Sequence, residues 1–96
     1  MLLDQLHKDK ASIEKVCQDF GASRIRVFGS VARREERPDS DVDFLVNFPK
    51  GYDLFGQRIP LTDKLCEIIG RHVDLIPEHE LNRHLRKQIL SEAVDL

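Results

Sequence analysis

The sequence predicts an α/β domain, a small mixed β-sheet flanked by helices, on three observations. Short stretches alternating apolar and polar residues recur at Arg24–Phe28, Ser40–Asn47 and Arg71–Ile76, the period of strands with a covered face. Around them lie stretches with apolar residues every three or four positions, the period of an amphipathic helix. The 96 residues suffice for one hydrophobic core but not two, so residues 1–96 are expected to form a single domain. The order helix, strand, turn-helix, strand, helix, strand, helix leaves the strand order within the sheet open.

Leu2, Leu3, Leu6, Ile13, Val16, Cys17 and Phe20 define a first helix over residues 2–19, with Gly21 placed where a left-handed cap ends it. Cys17 lies on its apolar face and reads as a small buried hydrophobe rather than a reactive thiol. Arg24–Phe28 forms the first strand, with Ile25 and Val27 sharing a face. Gly29-Ser30 closes it and opens a short helix over Val31–Glu36. In the second strand Val42, Phe44 and Val46 alternate against Asp41, Asp43, Leu45 and Asn47. After a loop, Leu61, Leu65, Ile68 and Ile69 form the stripe of another helix that Gly70 caps. Pro60 implies a break there, with residues 52–58 as a separate turn. Cys66 is expected to pack with this stripe. Val73 and Leu75 share a face of the third strand, opposite His72 and Asp74. Leu81, Leu85 and Ile89 mark a closing helix to Glu92, with Glu78 and Glu80 near its start and Arg86 and Lys87 later, as the helix dipole favours.

Hydrophobic residues at 41% and charged residues at 33% describe an ordinary globular chain. The net charge of −2 and pI near 6.1 argue against a dedicated nucleic-acid binder. No apolar run reaches the ~18 residues of a membrane span. Cys17 and Cys66, without CxxC spacing and with no signal peptide, point to reduced thiols and a cytoplasmic protein. Gly51 and Gly56 have the spacing of a P-loop, but Gln57-Arg58 stands where Lys-Ser/Thr is required. His79 and His84 are off the i, i+4 spacing of a helical metal site, and His7 and His72 have no evident ligand set, so no zinc is assigned.

The chemistry concentrates in Val27–Val46, VFGSVARREERPDSDVDFLV. A glycine between a strand and a helix lets the backbone approach a ligand closely, and the free amides that follow favour an anion. Ser30 adds a hydroxyl. Asp41 and Asp43, two apart on a strand, project the same way with backbones ~7 Å apart. Carboxylates so placed can hold one divalent ion, or the two ions of nucleotidyl transfer. Magnesium suits them, as a hard cation that takes its remaining ligands from water and phosphate. A Gly-Ser strand exit alone is usually a turn, and an acidic pair alone is usually a solvated face; their adjacency carries the argument.

GSVARREERPDSDVDFLV resembles the signature of the DNA polymerase beta-like nucleotidyltransferases, in which a Gly-Ser turn precedes an Asp-x-Asp pair. The short chain is more narrowly similar to the minimal nucleotidyltransferases, antitoxin partners of HEPN-domain toxins. The resemblance implies the polymerase beta-like palm, and a third acid on a later strand that Asp74 supplies. It implies that Asp41, Asp43 and Asp74 bind magnesium, as two ions in the family's manner, with Asp74 helping to activate the attacking hydroxyl. Gly29, Ser30, Arg33 and Ser40 would bind the phosphates of ATP. The implied reaction transfers AMP from ATP to a tyrosine hydroxyl of a HEPN ribonuclease toxin, which would be silenced in a hetero-oligomer. Many relatives have Ala-Arg-Gly where this chain has Ala32-Arg33-Arg34. That change leaves an alternative from another class, a catalytically weak or inactive antitoxin that neutralises the toxin by binding and covering it. Asn in place of Asp41 and Asp43 separates the two, since a covering protein would still neutralise its toxin.

Overall fold

The computed structural model describes residues 1–96. Its elements are α1 (Leu2–Lys8), α2 (Lys10–Asp19), β1 (Ser23–Phe28), α3 (Gly29–Ala32), β2 (Val42–Asn47), α4 (Ile59–Ile69), β3 (Val73–Pro77), α5 (Arg83–Glu92) and β4 (Val94–Asp95). The sheet order is β3-β2-β1-β4. β2 runs parallel to β3 and antiparallel to β1, which also pairs antiparallel with β4. The mixed sheet flanked by helices is the expected fold class.

The core lies on the sheet face covered by α1, α2 and α4. Leu3, Leu6, Ile13 and Cys17 from the first two helices meet Ile25 and Val27 of β1, Val42, Phe44 and Val46 of β2, and Leu61 and Leu65 of α4, all buried. Burial pushes the Cys17 thiol up to about 12, as its place on an apolar face predicts. Cys66 packs against the same core.

The first helical stretch is two helices rather than one. Helical spacing from Leu6 falls next on Asp9 and Lys10, which have nothing apolar to bury, and the chain turns at Asp9. α3 is also shorter than expected, a single turn followed by a left-handed residue. Arg34 has φ +58, and the amides of Glu35 and Arg34 donate to the carbonyls of Ser30 and Val31 at 2.8 and 3.1 Å. This is the Schellman arrangement, and Arg34 takes the position where glycine is usual. Its side chain reaches Asp4 through two hydrogen bonds of 3.0 and 2.9 Å, tying the turn to α1 and holding the Asp4 carboxyl well below its ordinary range.

α4 starts at Ile59, with Pro60 in its first turn and a π-helical turn, Leu54–Arg58, before it; proline is tolerated there because that amide needs no partner. Gly70 caps α4 at φ +75. Glu78–Glu80 forms a separate 3₁₀ turn, and α5 begins only at Arg83, with the Asn82 side chain accepting from the His84 amide at 2.8 Å. Glu78 therefore lies outside the closing helix. It pairs at 2.7 Å with Arg26, which is buried on the second face of the sheet and also donates to Asn47 at 2.9 Å. Leu45, also buried, lies beside Arg26 in the β1–β2 register. At the β3 edge, the Arg58 guanidinium donates to the Leu75 carbonyl at 3.1 Å.

Candidate active site

The β1–β2–β3 register assembles the site. Asp43 sits opposite Phe28 across the antiparallel pair and opposite Asp74 across the parallel one. Asp41 lies one residue before β2, and His72 one before β3, their neighbours Val42 and Val73 being paired. The three predicted acids, distant in sequence, thus converge at one end of neighbouring strands.

Their electrostatic environments differ. Asp43 is half-buried, and its pKa is pushed up to about 6, first by burial and then by the charges of Asp74 and Asp41, with a hydrogen bond to Asp74 adding to the rise. Asp41, His72 and Asp74 are exposed and offer ligand atoms within 4.8 Å of one another. His72 Nδ1 lies 3.3 Å from Asp41 Oδ1. Crowded carboxylates of which one is driven toward protonation form a site short of positive charge. The donor set suits a divalent cation, so these residues fit the metal that the sequence implies.

Gly29 follows β1 with φ +73 and stands directly over this cluster: a Cβ there would collide with Asp43 Oδ2. The turn carrying the anion-binding amides is therefore packed on the acidic pair, and only glycine permits that approach. The Gly29 amide donates to Glu92 at 2.8 Å. Arg33 donates to the same carboxylate at 3.2 and 3.3 Å and to Glu35 at 3.2 Å. Ser30 opens α3 and is half-buried. Ser40 shapes the approach to β2: its hydroxyl accepts from the Arg37 amide at 2.8 Å, and its carbonyl accepts from Arg71 at 3.1 Å.

Two participants escaped the sequence reading. His72 shares the Asp74 face in the sequence without an evident partner; the i, i+2 spacing that groups Asp41 with Asp43 applies equally to His72 and Asp74. Glu92, at the end of α5, carried no local signal for its contact with Gly29.

Comparison with known proteins agrees with this geometry. Residues 10–96 match the model of the nucleotidyltransferase domain family. The protein adenylyltransferase MntA of Thermococcus cleftensis is 40% identical over 75 residues, covering 78% of this chain and 75% of its own. A solved structure of a candidate minimal nucleotidyltransferase superposes with a TM-score of 0.86 at 42% identity, over 100% of this chain and 97% of that one. A Shewanella oneidensis MNT antitoxin, solved in complex with a tri-AMPylated HEPN toxin, shares the fold: TM-score 0.67, 24% identity, 99% of this chain and 71% of that chain. With the strand register, the glycine turn and the three acids in place, the chain belongs to the nucleotidyltransferase family, in its minimal form.

Proposed function

We propose that this nucleotidyltransferase is an antitoxin that transfers AMP from ATP to a tyrosine hydroxyl of a HEPN ribonuclease toxin, and so silences it. The observation that carries the reading is the packing of the Gly29 turn on Asp43, which sets an anion-binding turn against three converging carboxylates. The relatives, a protein adenylyltransferase and an antitoxin bound to an AMPylated HEPN toxin, support the substrate and the partner.

In this reading Asp41, Asp43 and Asp74 hold magnesium. Bound there, the ion would supply positive charge to the triphosphate and to the developing charge on the leaving pyrophosphate. The Gly29–Ser30 turn orients the phosphates through the amides beyond Gly29, whose own amide is held by Glu92, and through the Ser30 hydroxyl. Asp74, the exposed member of the Asp43–Asp74 pair, accepts the proton of the incoming hydroxyl. The elements of residues 1–96 all build one sheet and its flanking helices, and in this reading the acceptor hydroxyl arrives on a docked macromolecule.

The Arg34 backbone bears on the alternative of an inactive covering protein. Its left-handed conformation is the one a glycine would take, so the turn keeps its shape despite the substitution. The test is intact-mass spectrometry of the cognate HEPN protein incubated with this chain, ATP and magnesium. Additions of AMP mass are expected, and they should vanish when Asp41 and Asp43 are both replaced by Asn. An unchanged toxin mass refutes the reading.

A further inference from the structure

The acidic site contains a nitrogen donor that an all-carboxylate reading leaves out. His72 precedes Asp74 by two residues, so both leave the same face of the β3 segment. The Val42 amide donates to the His72 carbonyl at 3.0 Å, which fixes the His72 backbone against the strand that follows Asp41. The side chains meet accordingly, with Nδ1 3.3 Å from Asp41 Oδ1. Neighbouring ligands on an octahedral ion with bonds of ~2.1–2.2 Å lie roughly 3 Å apart, and opposite ones roughly 4.3 Å apart. The Asp41–His72 separation fits the first distance, and the 4.8 Å limit on all three ligand atoms leaves only a small contraction to reach the second. All three side chains are exposed, which leaves coordination positions for water and phosphate oxygens.

We propose that His72 is a metal ligand alongside Asp41 and Asp74, and that it tunes this site toward first-row transition ions over magnesium. The proposal rests on the reading of these acids as a metal site and adds its selectivity. Magnesium favours oxygen donors and parts reluctantly with its waters. Imidazole nitrogen suits transition ions better than it suits magnesium, and manganese, the weakest binder of that series, shares the octahedral geometry of magnesium and so is the most stringent probe. One nitrogen among the donors therefore raises manganese affinity while adding little for magnesium.

The test uses the full chain stripped of metal. Manganese binding is followed by the loss of the free-ion electron paramagnetic resonance signal, and magnesium by competition. His72→Ala should weaken manganese binding at least about tenfold, since losing even a group that only supports a ligand costs that much, and leave magnesium binding within about threefold. Equal losses for both ions, or no loss for manganese, overturn the proposal: His72 would then only orient Asp41 or stand aside. If Asp41→Asn and Asp74→Asn both bind manganese like the unaltered chain, the metal-site reading itself fails. A measurement on the unaltered protein guards against misfolding of the variant. Electron spin echo modulation of bound manganese should show a nitrogen coupling that changes when histidine is labelled with ¹⁵N, and absence of that coupling refutes His72 as a ligand.

Discussion

Asn in place of Asp43 should make the metal-free protein more stable while removing its chemistry. The Asp43 carboxyl is half-buried beside Asp74 and Asp41, and its pKa rises from 3.8 to about 6 in the folded chain. Between those values the folded state binds more protons than the unfolded one, so stability falls as pH rises from about 4 to about 6 and stays lowered above. Taken at face value the rise corresponds to at most about 3 kcal/mol. Asp43 keeps some contact with solvent, and screening there reduces the figure to about 1 kcal/mol. Asn is close in shape to the protonated acid and carries no charge, so Asp43→Asn should recover that amount at neutral pH and nothing near pH 4. For a domain this small, 1 kcal/mol moves the melting temperature by roughly 4–8 °C. Thermal unfolding followed by circular dichroism at pH 4, 5, 6 and 7.5, in chelator and then in magnesium, measures it. In chelator the variant should melt higher at pH 7.5 and level with the parent at pH 4; magnesium should raise the parent more. A variant no more stable at pH 7.5, or equally stabilised at pH 4, refutes the reasoning.

Gly29→Ala should destabilise the fold, because left-handed backbone costs a non-glycine residue about 1–2 kcal/mol and the new Cβ meets Asp43 Oδ2; urea denaturation would read the loss, and a midpoint equal to the parent's would contradict it. Arg34→Gly should instead leave the midpoint level with the parent's or above it, because glycine is the natural occupant of this capping position. The same variant should raise the Asp4 carboxyl toward its ordinary range, with the nearby N-terminal ammonium still holding it down in part, visible by nuclear magnetic resonance titration. Glu92→Ala removes the acceptor of the Gly29 amide, a loss of about 1 kcal/mol. Amide exchange at Gly29 and Ser30 should accelerate in that variant, and unchanged exchange would show that Glu92 does not hold the turn.

The parts of the fold legible in the sequence were those whose signal repeats. Val42, Phe44 and Val46, or Val73 and Leu75, announce strands because each apolar residue confirms the phase of the last. Leu61 and Leu65 do the same for α4, with Gly70 as its stop. The break at Asp9 was legible in principle, since the apolar phase skips a turn there. β4 was not, because two residues carry no period; Val94 and Asp95 become a strand only by pairing with β1. The late start of α5 has a similar cause: proximity to Pro77 suggested that Glu78 and Glu80 open the helix, whereas Glu78 is claimed by Arg26 from another strand. In the site, residue types and facing were readable along each strand. The contacts of Glu92 with Gly29, and of Gly29 with Asp43, exist only between elements and leave no trace in local spacing.

The Arg58 bond to the Leu75 carbonyl has a consequence for behaviour at high concentration. β3 is one edge of the sheet, and an edge strand with free backbone groups invites pairing with another chain. Arg58 occupies an acceptor midway along β3, and Pro77 at its end lacks an amide to donate. Asp74 places a charge on the same five-residue strand. The acid proposed to serve the chemistry thus also helps discourage one copy from adding its strand to the next. An apolar replacement at residue 74 would therefore cost the protein solubility as well as activity.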